Sequence, residues 1–470
     1  MDDFPSEFDL VVVGTGFSES IIAAAASRVG KTVLHVDEND YYGGFWASFN
    51  FDTFVSHLEK SKDTQIKKCR LRNCESRWLE FTEDCPDING WNKDKILKES
   101  RRFNIDLIPK MNFCNGKLVD LLISSNICRY TEFRAVDKVL TVLNGQMDIV
   151  PGSRADIFTK KNVSIIEKRL LMKFMNQCVE YDKVNNSEEK NEFQEFPENG
   201  KFIDLMEQQR LTENLIHYIL HSMCMGNETT TFKEGIQRIR TYLSSIGRYG
   251  NTPFLFPMYG CGEIPQCFCR LCAVFGGVYC LGRPITDVKT VESNDEQVVI
   301  MKFGDQNITT KKLVHGLASD VLETQETNEF ISRAPFVETF FREDYPSENE
   351  DDDTKPTIIF SSYFEVPSSV KKSYTTETQN GPIYKCCGAF MELDYDESIR
   401  QSKELYEKMY PDDEFLPKAP EPEEIIMGDE DATEGNVNLG VLADLVDSEE
   451  KDDEKKETPE KEENSEVTTT

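Results

Sequence analysis

No stretch of the 470 residues approaches the ~18–20 consecutive apolar residues that span a bilayer. Positive charge is in short supply: 53 Lys and Arg stand against 85 Asp and Glu, a formal net charge of −32. Nucleic-acid binding needs a basic footprint, so that class is excluded, and electrostatic docking on anionic membranes is disfavoured. A basic partner is favoured instead. Histidine is scarce, and none of the five suggests a base beside a nucleophile. His217 and His221 are four apart without the Glu of H-E-x-x-H, and His35 lies inside an expected strand. No P-loop occurs, so the chain is not expected to bind GTP itself. The 14 Cys form no evenly spaced disulfide framework and are expected as small core residues. The N-terminal MDDFPSEFDL is acidic where a secretory signal is basic and then apolar, which gives the expectation of a cytosolic protein with reduced thiols.

The length allows two or three domains. Residues 8–37 read as a βαβ unit: a buried strand FDLVVV, a tight GTGF turn, a helix rich in small residues, and a second strand KTVLHVD. This places the chain in the α/β class. A short helix is expected near 117–124, then strands near 130–136 and 138–150, with a boundary at Pro151-Gly152. Residues 153–242 are helical in pattern, because Leu170, Leu171, Phe174 and Cys178, and again Leu215, Ile219 and Met223, recur at helical spacing. Thr212 suggests a capped start to the second run. From 246 the chain returns to the first domain, with strands near 297–303, 312–317 and 357–366 and a last helix over 398–409. The expected division is a discontinuous domain over 1–152 and 246–427, a helical domain over 153–245, and an acidic disordered tail over 428–470. Residues 421–470 hold 19 Asp or Glu against 4 Lys, and a second acidic cluster stands at 348–353.

Gly14-x-Gly16-x-x-Glu19 sits between strand and helix, where a dinucleotide fingerprint belongs, and Asp37 follows Gly14 at the spacing of a ribose-binding carboxylate. The third glycine, which lets the helix pack close to the strand, is replaced by Glu19. A helix N-terminus attracts anions, and here the chain supplies its own. Glu19 is therefore expected to compete with a diphosphate, to stabilise the empty helix end, and by its bulk to oppose close helix packing. A flavin or nicotinamide enzyme is the disfavoured reading. Downstream, Tyr41-Tyr42-Gly43-Gly44 is either a loop offering aromatic contact area or a packed loop.

The most informative run is 257–281. Gly262 suits an N-cap, Pro265 the first turn and Gly276-Gly277 the stop. Ile264, Phe268, Leu271 and Phe275 fall on one helical face, and Glu263, Gln266 and Arg270 on another. That polar stripe is either a solvated face with a weak Glu–Arg interaction or an acid, an amide and a guanidinium presented to a partner. Cys267 and Cys269 are two apart and point to different sides, which disfavours zinc.

Together, Gly14-Thr15-Gly16-Phe17-Ser18-Glu19, Val33-Leu34-His35-Val36-Asp37, Tyr41-Tyr42-Gly43-Gly44 and Tyr259-Gly260-Cys261-Gly262-Glu263-Ile264-Pro265-Gln266 resemble the GDI/Rab escort protein superfamily, over residues 9–427. Cys267, Cys269 and Cys272 and the run Arg248–Phe256 look like its escort branch. The resemblance implies a flavoprotein-like large domain without flavin and an inserted smaller helical domain. It implies no cofactor, no metal and no catalysis. The implied partners are GDP-bound Rab GTPases, the α/β heterodimer of Rab geranylgeranyl transferase, the geranylgeranyl lipid of the Rab C-terminus and, transiently, a membrane. A Rab-binding platform of Tyr42, Glu263, Gln266, Arg270, Val278 and Cys280 is implied, the family often having Thr and Met at the last two positions. Transferase contact is implied near Phe202 and Arg210, and lipid contact near Leu171, Met175, Ile219 and Met223, where ordinary helix core is the alternative. The helix at 117–124 would help to grip the Rab C-terminal segment. The competing roles are a GDI that recycles prenylated Rabs and, remotely, an FAD-dependent oxidoreductase.

Overall fold

The computed structural model describes residues 5–63, 71–83, 85–143, 145–151, 163–181, 192–293, 296–316, 329–331, 357–369, 381–390 and 392–418. Met1–Pro417 forms one compact unit, and only Lys418 is described of Lys418–Thr470, so the acidic cluster at 348–353 and the tail lie outside the described residues.

The βαβ unit forms where the pattern placed it: β1 (Glu7–Val13), α1 (Phe17–Arg28) and β2 (Val33–Asp37). Gly14 turns the chain at φ +98°, a left-handed conformation that favours glycine. The strands belong to a seven-stranded sheet ordered Val278–Leu281, β2, β1, Gln306–His315, Glu296–Phe303, Ile285–Ser293, with Ile383–Lys385 also paired to Gln306–His315. The first four are parallel and the Glu296–Phe303 and Ile285–Ser293 strands are antiparallel. Alternate residues of β1 serve opposite faces. Leu10 and Val12 join a core with α1, the Cys-rich helix Glu263–Val274 and the helix Asp396–Met409. Val11 and Val13 join a second core with Leu34, Val36, Met301 and Phe303.

The helical layer has a core of its own around Phe174, Phe202, Tyr218, Phe232 and Tyr242. Ile165–Glu180 and Phe232–Ser245 each open on a capping box, Ser164 with Glu167 and Thr231 with Glu234. The run containing Ile219 and Met223 starts as an α-helix, Glu213–His217, and continues as a π-helical turn, Tyr218–Met223. Thr212 occupies its N-cap without capping it, because its hydroxyl donates to Glu167 Oε1 at 2.8 Å. Residues 140–149 form a hairpin rather than one strand, since the chain reverses between Leu140–Leu143 and Gln146–Ile149. Phe275 does not join the apolar face of the Cys-rich helix. The helix ends at Val274, and Phe275 is exposed beneath the Arg28 guanidinium, 4.7 Å from its ring.

Gly235 faces the Phe202 ring so closely that a methyl group there would overlap it. Gly235→Ala is expected to destabilise the fold by roughly 1–3 kcal/mol through overpacking. A urea midpoint equal to that of the unaltered chain would show that the helical core can yield there.

Candidate functional site

The start of the Cys-rich helix is held by two neighbouring strands, Ser48–Phe49 and Ile105–Asp106. Gly262 N donates to Ser48 Oγ at 2.8 Å and Cys261 N to Asp106 Oδ1 at 2.9 Å. Gly260 turns at φ +92°, and a Cβ on Gly262 would lie 2.5 Å from Ser48 N, so this approach requires glycine at both positions. Ile264, Phe268 and Leu271 are buried, and that burial fixes the helix's rotation. The opposite stripe then faces an open groove of about 460 Å³ lined by Tyr42, Tyr130, Glu263, Gln266, Cys267, Cys269, Arg270, Ala273 and Tyr279.

Four residues of the expected platform, Tyr42, Glu263, Gln266 and Arg270, therefore meet in one place. Gln266 and Arg270 are exposed and Glu263 is half-buried. Glu263 Oε2 is buried without a hydrogen-bond partner, and burial, with Glu132 nearby, raises its carboxyl above the ordinary range. An unpaired buried acceptor is costly, so a partner that brings an N–H or O–H donor to it gains affinity. The Arg270 guanidinium sits 4.7 Å over the Tyr130 ring.

The two loop tyrosines divide the readings left open for them. Tyr41 packs inward on Phe49 and His57, while Tyr42 lines the groove. Val278 and Cys280 lie elsewhere. They are half-buried against the second core, on the opposite face of the edge strand from Tyr279. Strand periodicity requires this, since adjacent residues point to opposite faces. Tyr279 and Tyr130 are groove residues that the sequence did not reveal, because neither shares the helical spacing of the stripe.

The remaining candidate residues, Arg210 apart, gather in the helical core. Leu171, Met175, Ile219, Met223 and Phe202 are all buried in the same cluster. Arg210 is exposed just beyond the helix Phe202–Gln208, in a left-handed conformation at φ 57°.

The fingerprint turn is filled by its own chain. The Glu19 side chain folds back over the helix start, as the N-terminal tilt of helical Cα–Cβ bonds favours. A Cβ on Gly16 would come within 2.6 Å of Glu19 Oε2, one on Gly14 within 3.3 Å of Oε1, and one on Gly316 would overlap the carboxyl. Burial, with Asp37 nearby, pushes the Glu19 carboxyl up to about 7. This changes two expectations. The group is not a plain anion at neutral pH, and its bulk is taken up over the turn, beside Gly14, Gly16 and Gly316. Both Asp37 oxygens are engaged, Oδ2 by Thr15 N and Oγ1 at 2.8 and 2.6 Å, and Oδ1 by Asn39 N and Nδ2 at 2.9 Å each. A flavin dinucleotide does not fit these residues as they stand: its diphosphate meets Glu19 and its ribose meets a carboxylate already satisfied.

The cysteines diverge to different neighbours. Cys267 Sγ meets Thr131 Oγ1 at 2.8 Å, while Cys269 meets Ser20. Among the described residues no group of three His, Cys, Asp or Glu could hold a metal ion, and no helix is long and apolar enough to cross a membrane.

Comparison with known proteins places these features in context. A family model described as GDP dissociation inhibitor matches residues 1–75 and 74–334. The Rab proteins geranylgeranyltransferase component A of Drosophila melanogaster is 39% identical, over 92% of this chain and 94% of that protein. Component A 2 of Homo sapiens is 29% identical, over 96% and 98%. Among solved structures, the Rab GDI of Plasmodium falciparum superposes with a TM-score of 0.56 at 16% identity, over 89% of this chain and all of that one. That likeness bears out the expected fold class, a Rossmann-type, flavoprotein-like α/β architecture.

Proposed function

This chain belongs to the GDP dissociation inhibitor family, and from that premise we propose that it acts as a Rab escort protein. It binds newly made, GDP-bound Rab GTPases, presents them to the Rab geranylgeranyl transferase heterodimer for prenylation of their C-terminal cysteines, and delivers the product to membranes from the cytosol. It is the substrate-presenting component and carries out no chemistry itself. The observation that carries this reading is the groove in which Tyr42, Glu263, Gln266 and Arg270 converge, in a chain 39% identical to a component A protein over nearly its whole length.

In this reading the large domain, 1–152 with 246–427, holds the Rab, and Val278 and Cys280 contribute only from the other face of the edge strand, outside the groove. The helical domain, 153–245, takes the prenyl chain near Leu171, Met175, Ile219 and Met223. These side chains now fill their own core, so lipid entry requires the helices around the π-helical turn to part. Methionine suits such a site because it repacks readily around flexible apolar chains. The transferase docks around Arg210, just beyond the helix that Phe202 roots in the core.

Reconstitution tests the role. Purified chain, GDP-bound Rab, transferase and geranylgeranyl diphosphate are expected to give prenylated Rab, with no product when the chain is omitted. A GDI would extract prenylated Rab from membranes yet form no complex with the transferase on a sizing column. Lack of prenylation, together with extraction, would replace the escort reading with that one.

A further inference from the structure

We propose that Thr15, inside the fingerprint, and His35, on β2, are positioning residues for the groove, each holding one of its tyrosines in place. The inference rests on the proposed Rab-binding role of the groove and adds residues that do not touch the partner.

The Tyr42 wall is held through Thr15. Gly43, the next residue after Tyr42, donates its N–H to Thr15 Oγ1 at 2.9 Å. The Thr15 hydroxyl in turn donates to Asp37 Oδ2. Its single proton is thereby committed, and a lone pair is left for Gly43. Gly43 sits at φ +98°, and a Cβ there would come within 3.1 Å of Ala47 backbone atoms, so the loop is narrowly constrained where the hydrogen bond meets it.

The Tyr279 wall is held through His35. His35 Nε2 lies 2.6 Å from the Gly14 carbonyl oxygen and Nδ1 lies 3.0 Å from the Tyr279 hydroxyl. A carbonyl only accepts, so Nε2 carries the proton. In the neutral ring Nδ1 is then an acceptor, and Tyr279 donates to it. The ring is fully buried, and that burial depresses its pKa to about 4, which keeps it neutral across the physiological range. Tyr279 also lies beside the Cys269 and Cys272 thiols and 6.2 Å from the Tyr42 ring.

Both routes end on two consecutive residues, Gly14 and Thr15. The turn that a dinucleotide-binding protein uses to seat a diphosphate here seats Tyr42 and Tyr279 of the groove. Thr15 and His35 are themselves inaccessible, so an effect on binding must pass through the side chains they hold.

The test uses the full chain and a GDP-bound Rab, with affinity measured by calorimetry well below each variant's melting temperature. Thr15→Val keeps the shape and removes the hydroxyl. It is expected to weaken binding about 3–10-fold, the loss of the Gly43 hydrogen bond, the one of the hydroxyl's two that reaches the loop, expressed as a ratio. Amide exchange across 41–47 is expected to accelerate in the same variant. Thr15→Ser restores the hydroxyl and is expected to bring both readouts back. Tyr279→Phe reads the other wall, even if Thr15→Val fails to fold, and is expected to weaken binding by a similar factor. Unchanged affinity in Tyr279→Phe, or equal losses in the Val and Ser variants, would overturn the inference while leaving the Rab-binding role intact. No binding by the unaltered chain would remove the role, and the inference with it.

Discussion

If the groove holds a Rab as proposed, Arg270→Ala is expected to weaken binding of a GDP-bound Rab by roughly 10–100-fold, the range of an interface hot spot, while leaving the fold intact. The structure separates these two effects. Arg270 is exposed, and its guanidinium rests on the Tyr130 ring rather than in a core. Losing an exposed cation–π contact costs about 0.5–1 kcal/mol, too little to unfold the chain. The helix stays in place because Ile264, Phe268 and Leu271 fix it from the other side. The groove loses the Arg270 guanidinium, beside an acid whose buried oxygen awaits a donor. Calorimetry for affinity and thermal melting for stability check the two halves together. A variant that melts early, yet binds normally per folded molecule, would make Arg270 a structural residue.

Glu19→Gln is expected to stabilise the chain at pH 8 by roughly 3 kcal/mol and to flatten part of its pH dependence. The Glu19 carboxyl rises from an ordinary 4.5 to about 7 on folding, chiefly because it is buried. A raised folded-state pKa means that folding favours the protonated form. The associated stability is complete below pH 4.5, declines as pH rises towards 7, and is gone above it. Glutamine keeps the shape and cannot ionise, so the decline between pH 4.5 and 7 should disappear from its contribution. Urea midpoints of both chains at pH 5 and pH 8 measure this, and the charges elsewhere, common to both, cancel in the comparison. Parallel curves for the two chains would show that Glu19 does not titrate in this window.

The two variants probe residues of unequal legibility. Arg270 could be read from spacing, because residues three and four apart share a helical face and an apolar set opposite them sets the rotation. Glu19 was visible as a broken fingerprint, but its effect was not. Whether a side chain at that position wedges the helix from the strand or folds back over the turn depends on what lies beyond it. Gly316, almost three hundred residues away, provides the space. The misplacement of Phe275 has a similar origin. Helical periodicity predicts a face only while the helix lasts, and this one ends a residue too soon.

The amino-acid sequence determined by itself what depends on near neighbours: the βαβ unit, the glycine-shaped start of the Cys-rich helix, and the acid–amide–guanidinium stripe along it. Those features follow from backbone sterics and from periods of two and 3.6 residues, which operate within a few turns of chain. The tertiary structure alone decided that Tyr42, Tyr130 and Tyr279 stand around that stripe, that Val278 and Cys280 turn to the other face of the sheet, and that Thr15 and Gly14 of the fingerprint turn hydrogen-bond to Gly43 and His35. These outcomes depend on strand order, parallel register and the packing of segments far apart in the chain, and no local pattern encodes which distant side chain will arrive.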